Sequence, residues 1–396
     1  MKQAPIYSRR EPLQKVLLLA GIVLVSLNLR PALASVGPLV GAIRASTGLS
    51  NTLLGLLTTL PLIAFGVVSM FTPLFTRRFG LEGTMAGAMG LLTLGLLLRV
   101  PEPVGALFGG TLLLGVAIAL GNTLLPVIAK RDFPHHTGAV TGLYSSVLGV
   151  GAAAGAGLSI PLAEGVGLGW RWSLGSWALL SLAGLLAWLP QLRYRERPTP
   201  GRSHRKAMWE LGRSRQAWQV ALFMGLQSLT FYVVLAWLPE LLRDRGMAAG
   251  PAGWMLSLSQ AMGVLGTLVI PAWAEKLRSQ RGMVWVLVAM EGVSLAGLAL
   301  PEAPMAALWV SLIGFSLGGS FGLALLFIVL RSSNSQRATE LSGMAQSAGY
   351  LLAAAGPTLF GALHDLTAGW LLPLGFLGVV AVLKTWMGHG AGAPQT

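Results

Sequence analysis

The stretch VLLLAGIVLV, Val16 to Val25, opens a series of apolar runs each long enough to cross a bilayer, and this recurrence restricts the fold more than any other feature. A helix needs roughly 20 predominantly apolar residues to traverse the hydrocarbon core. Read with that window, the chain divides into spans 14–39, 51–76, 80–99, 103–129, 136–162, 170–190, 216–241, 251–275, 282–300, 304–330, 337–363 and 369–388, which we number 1 to 12. The runs are too long for strands, lack two-residue alternation and are rich in Leu, Ala and Gly, so the expected class is an all-α membrane protein. Charged residues make up only 11% of the chain, against about 25% in soluble domains. The absence of cysteine excludes a disulfide framework and a thiolate metal site.

A net charge of +14 in a soluble protein would suggest a nucleic-acid partner. Its distribution suggests topology instead. With a cytoplasmic N-terminus, all but six of the 28 lysines and arginines fall in inside segments: 1–15, Arg77-Arg78, Lys130-Arg131, 191–215, 276–281, Arg331 to Arg337, and Lys384. Arg44, Arg99, Arg171, Arg243 and Arg245 fall in outside loops, which leaves Arg30 inside span 1. The expected partners are therefore the lipid bilayer and a small molecule, not nucleic acid. A basic start, an apolar run and the pattern Ala32-Leu33-Ala34 together resemble a cleaved signal peptide. The internal repeat argues against cleavage, because removing the first span would leave span 7 without a counterpart.

That repeat divides the chain at its longest polar stretch, QLRYRERPTPGRSHRKAMWELGRSR. The expected domains are a six-helix unit over 1–190, a basic cytoplasmic linker over 191–215, and a second six-helix unit over 216–396 with a short cytoplasmic tail. GNTLLPVIAKR (121–131) lies over GLALLFIVLRS (322–332), TGLYSSVLGVGAAAG (141–155) over SGMAQSAGYLLAAAG (342–356), and Pro73 over Pro271. Two like-oriented six-helix halves joined in this way resemble the major facilitator superfamily. N-x-R-P followed by SVGP in span 1, GNTLLPVIAKRDFPHHTGAVTGLYSS across spans 4 and 5, and LSGMAQSAGYLLAAAGP in span 11 are similar to its cyanate-permease and 2-nitroimidazole-transporter branch. The resemblance implies twelve helices in two pseudo-symmetric bundles, substrate held between them near the bilayer midplane, and alternating access by rocking of one half against the other. It also implies a bacterial inner-membrane location with both termini cytoplasmic, and a monomer is the expected state. The usual signature after span 2, G-x-x-x-D-R-x-G-R-R, is degenerate here as PLFTRRFGLE: Arg77, Arg78 and Gly80 remain and the aspartate is absent.

Arg30 is the first candidate site residue. A guanidinium at that depth costs at least about 2.5 kcal/mol on insertion scales unless paired or hydrated, so such residues mark pathways. Pro31 removes a backbone donor and frees the carbonyl of Leu27, a disruption tolerated where the backbone lines a cavity. A planar, permanently charged fork suits a carboxylate, cyanate or nitro group, since paired N–H bonds fix orientation as well as charge. The competing reading is a side chain that snorkels outward or bonds helix carbonyls. Asn28 either lines the same cavity or caps the break. Tyr144, Gln227, Tyr232, Gln260, Gln346 and Tyr350 lie at middle depths, and each is either part of a ligand shell or a helix-to-helix bond. Phe231 and Trp237 stand as stacking partners for a flat ligand or as packing.

At the inside face, Lys130, Arg131 and Asp132 are expected to form gate ion pairs. The RDFPHH turn lacks a well-placed third metal ligand, so neither metal nor cofactor is expected. Glu291, in span 9, is the acid expected deepest in the membrane: either it carries a proton or it serves a local structural role. No cysteine, mid-membrane histidine, H-E-x-x-H or carboxylate pair supports membrane-embedded hydrolysis, so an enzyme is not expected. A sensor with the same fold remains open. The leading expectation is a transporter of a small polar or anionic molecule, or of a planar azole or nitro compound.

Overall fold

The computed structural model describes residues 12–133, 136–194, 212–300, 305–332 and 335–393. Residues 195–211 of the expected linker, and Pro134 and His135 of the RDFPHH turn, lie outside the described residues. Span 1 is built of three pieces, Pro12–Asn28, Pro31–Ala34 and Val36–Thr47. Spans 2 and 3 form one helical hairpin, Asn51–Leu98. Spans 4 to 6 are Val104–Asp132, Thr137–Ile160 with a π turn Pro161–Gly165, and Gly169–Trp188 with a 3-10 turn Leu189–Tyr194. Spans 7 to 12 are Arg215–Asp244, Ala249–Ala274, Arg281–Ala299, Ala306–Leu330, Ser335–Thr367 and Leu371–Ala391.

Helices are the forced solution for such runs, because hydrocarbon cannot satisfy a free N–H or C=O. Eleven of the crossings are long and apolar enough to span a membrane by length and composition. Span 11 is longer than the rest of its bundle but less apolar, since its ends carry Arg337, Glu340, His364 and Asp365. The turn between spans 2 and 3 is made at Gly80, whose φ of 71° and ψ of 172° lie in a region essentially closed to residues with a Cβ. That conformation accounts for the glycine in the degenerate PLFTRRFGLE signature.

Spans 1 to 6 pack on one another and spans 7 to 12 likewise, and the two bundles meet where span 1 crosses span 7, span 2 crosses span 11, and span 5 crosses span 8. The glycine-rich stretch of span 5 lies directly on the break in span 1. A Cβ on Gly151 would stand 2.7 Å from the Leu27 carbonyl oxygen, and one on Gly155 would stand 2.7 Å from Pro31 Cα. Ala32 and Ala34 of the signal-peptide-like pattern are buried inside this break.

Three basic residues depart from their expected places. Arg44 lies not in a loop but in the last turn of a span 1 that runs on to Thr47 and stops at the left-handed Gly48. Arg99 does not face the outer surface: it is fully buried and donates Nη1 to the Ala32 carbonyl at 2.9 Å. Lys384 is no loop charge either, being fully buried against Glu291. In each case a charge at or near the end of an apolar run folds back toward an acceptor already inside.

Candidate functional site

The break in span 1 positions Arg30. Pro31 has no N–H to give, so the helix restarts with the Arg30 carbonyl accepting from Leu33 at 3.1 Å and from Ala34 at 3.0 Å. The partly exposed guanidinium reaches from the first bundle to the second, donating Nη1 to the Tyr232 hydroxyl at 3.3 Å, with its central carbon 5.7 Å from the Phe231 ring centroid. Phe231 and Tyr232 meet edge to face at 5.1 Å. Tyr232 then meets Tyr350 of span 11 at 6.4 Å, and Tyr350 meets Phe65 of span 2 at 5.4 Å. One guanidinium thus faces an aromatic wall drawn from spans 2, 7 and 11. An aromatic face attracts a cation, while the same surface presents flat area to a planar guest. Phe65 was not a sequence candidate, and only the folding of span 2 onto span 11 reveals it.

The other expected site residues separate into groups. Asn28 is not brought to Arg30: its amide donates to the Leu24 carbonyl at 2.7 Å, and a Cβ on Gly184 of span 6 would meet it at 2.8 Å. Gln227 is buried and bonds Ser228 at 2.7 Å. Gln346 donates to Ser342 at 3.0 Å, one turn from Tyr350. Gln260 and Tyr144 are buried in spans 8 and 5, and Tyr144 engages Thr141. Trp237 donates Nε1 to the Pro357 carbonyl at 2.9 Å and packs with Phe360 and Trp370, beyond the aromatic wall toward the Glu240 end of span 7. Glu291 is held by Lys384 of span 12, between two helices of one bundle.

The basic face carries a cluster that sequence reasoning only half found. Arg131 donates to Asp132 at 2.7 Å, and also to Glu82 at 2.5 Å. Glu82 lies two residues beyond Gly80, so a carboxylate follows the span 2–3 turn even though the signature's aspartate is missing. Its signal was the last letter of PLFTRRFGLE. Trp188 of span 6 adds a hydrogen bond to the Glu82 carbonyl at 3.0 Å, which ties the cluster into the first bundle. Arg78 lies over the Phe79 ring at 5.4 Å, and Lys130 and Arg77 are exposed.

On the opposite face the two bundles are sewn together. Arg44 of span 1 pairs with Glu240 of span 7 and donates to Asn51 at 2.9 Å; Glu240 also accepts from Arg243, one turn on, at 3.0 Å. The Asn51 amide donates to Asp365 at 2.8 Å, and the Thr52 hydroxyl donates to the same carboxylate at 2.7 Å. Deeper, Thr59 donates to the Ala354 carbonyl at 2.6 Å and Ser257 to the Ala153 carbonyl at 2.9 Å. These hydrogen bonds between bundles run from this face down to the pair Arg30 and Tyr232.

The chain resembles known proteins over nearly its whole length. A family model described as Major Facilitator Superfamily matches residues 18–357. The 2-nitroimidazole transporter of Escherichia coli (strain K12) is 40% identical over 382 residues, 96% of each chain. The cyanate transport protein CynX of the same organism is 28% identical over 356 residues, 90% of this chain and 92% of that one. A crystal structure of a D-xylose-proton symporter superposes with a TM-score of 0.75 at 16% identity, covering 95% of each chain. A bacterial homolog of the human lysosomal transporter Spinster, in an inward-facing and unoccupied conformation, superposes at 0.74 with 15% identity over 96% of this chain and 98% of that one. By its sequence, its two helical bundles and these relatives, the chain is a membrane transporter belonging to the Major Facilitator Superfamily.

Proposed function

We propose that this transporter carries a small planar anion or a nitro- or azole-type compound, bound between Arg30 and the aromatic wall of Phe231, Tyr232 and Tyr350. The observation that carries this reading is the 3.3 Å hydrogen bond from Arg30 to the Tyr232 hydroxyl, which puts a permanent fork-shaped cation where the bundles meet. A guest carboxylate or nitro group would take the place of that long, weak bond with two parallel N–H donors, while its ring lies along the aromatic side chains. Relatives named for 2-nitroimidazole and cyanate are compatible with such a site.

The transport step is alternating access, with 1–190 and 216–396 rocking as bodies about the 191–215 linker. In this cycle the seam through Arg44, Glu240, Asn51 and Asp365 serves as the gate at the outer face, opposite the basic, cytoplasmic face of a bacterial inner membrane. Both halves of the site come from one chain, and a monomer suffices.

Counterflow in proteoliposomes tests the proposal, using small anions, azoles and nitroimidazoles as cargo. Arg30→Ala is expected to abolish saturable flux while membrane insertion persists. Arg30→Lys is expected to recover little of it, because a point charge lacks the fork geometry. Equal flux by wild type and both variants would remove Arg30 from the site. Binding without flux would mark a sensor, and conversion of the cargo would mark an enzyme.

A further inference from the structure

We propose that a cleft between spans 7, 9 and 12, at the face carrying the basic loops, binds the phosphate headgroup of an acidic membrane lipid. The cleft measures about 410 Å³ and is lined by Arg215 at the start of span 7, Arg281 at the start of span 9 and His389 near the end of span 12, with no carboxylate in its wall among the described residues. Arg281 donates Nε to the His389 carbonyl at 3.1 Å, which fixes its guanidinium beside the opening. The His389 Nδ1 atom is buried and has no hydrogen-bond partner among the described residues. The Gln219 amide lies against Gly390, where a Cβ would stand 2.1 Å from Gln219 Nε2 in its present rotamer. One anchored arginine fork and a second, exposed one, with neutral donors beside them, form a chemistry for phosphate oxygens.

The surroundings favour a lipid over a soluble phosphate. Val379, Val382, Leu383 and Trp386 present 60%, 69%, 42% and 66% of their surface along span 12 and lead directly to the cleft. Acyl chains can lie on that apolar strip while the headgroup enters, with Trp386 at the level where tryptophans sit in membrane interfaces. Basic pockets between helix ends at a membrane face are suited to acidic headgroups. The cleft lies wholly within the second bundle, apart from Arg30 and its aromatic wall.

Native mass spectrometry of the delipidated full-length protein in neutral detergent tests the proposal with phosphatidylglycerol, phosphatidylcholine and glycerol phosphate as probes. Wild type is expected to retain phosphatidylglycerol and to discriminate against the other two. Arg215→Gln is expected to weaken phosphatidylglycerol binding roughly fivefold. Arg278→Gln, which removes an equal charge from the same face but outside the cleft, is expected to leave binding unchanged. Arg281 also supports the span 12 terminus, so Arg281→Gln is read beside a thermal unfolding curve. Equal retention by wild type and Arg215→Gln, equal loss in Arg278→Gln, or equal binding of phosphatidylcholine would overturn the site. Glycerol phosphate binding as tightly as phosphatidylglycerol would overturn the lipid assignment.

Discussion

Glu291 and Lys384 are both fully buried and joined between spans 9 and 12, so each is the condition for the other's charge. Removing one partner strands the other in a low-dielectric interior, whereas replacing both by apolar residues removes the desolvation cost as well. Glu291→Gln is therefore expected to destabilise by about 3–5 kcal/mol, while Glu291→Leu combined with Lys384→Met is expected to unfold near the wild-type temperature. Thermal unfolding in detergent distinguishes the two. This pair also illustrates which charges the sequence makes legible. Arg30 is conspicuous because apolar residues continue on both sides of it. Arg99 and Lys384 sit close to the ends of their runs, where a side chain can turn toward water or inward with no change in the letters around it. Only the Ala32 carbonyl and the Glu291 carboxylate, each supplied by a distant span, decide those two cases.

The helical crossings follow from run length, since hydrocarbon thickness and helix rise leave little freedom in where an apolar stretch begins and ends. What run length does not report is how a helix is interrupted. Pro31 announces a break, but the side chains that bond carbonyls within the broken segment come from spans 3 and 5: Arg99 donates to the Ala32 carbonyl, and Ser159 to the Ser35 carbonyl at 3.2 Å. The span 2–3 turn likewise looks like a degenerate charge motif in the letters and proves to depend on one backbone conformation. Gly80→Ala is expected to cost on the order of 1–3 kcal/mol, because the new Cβ meets a forbidden φ/ψ combination. Gly90→Ala, in a regular helix with open space around the site, is expected to be neutral or slightly stabilising. The same unfolding measurement separates strain at Gly80 from a general effect of replacing glycine.

At the scale of the molecule, the duplication was readable from matched segments, but the face on which the halves close was not. The seam joins residues about 200 to 300 positions apart, such as Arg44 with Glu240 and Thr52 with Asp365, and these lie on surfaces the repeat does not distinguish. The native chain has no cysteine, so Thr59→Cys introduces a single thiol within the seam. Labelling of that thiol by an impermeant reagent from the outer side is expected to be slow in this background and several-fold faster when Arg44→Ala is added. Asp365, in the last turns of span 11 and past its apolar stretch 337–363, bears on how acid affects this closure. Its partial burial alone would raise its pKa, and the hydrogen bonds from Thr52 and Asn51 outweigh that, holding the carboxyl below the usual carboxylate range. A depressed carboxyl contributes fully above the ordinary value of about 3.9 and loses its contribution only as pH falls through the lower folded value. Labelling is therefore expected to show no Asp365-dependent change between about pH 6 and 8. Glu240 is the one seam carboxylate claimed by arginines from both sides, Arg44 across the divide and Arg243 on its own helix. If the bundles part as proposed, Arg243 travels with it, so the separated surface keeps a neutralised anion and does not present a bare negative charge to a proposed anionic cargo passing the outer mouth in either direction.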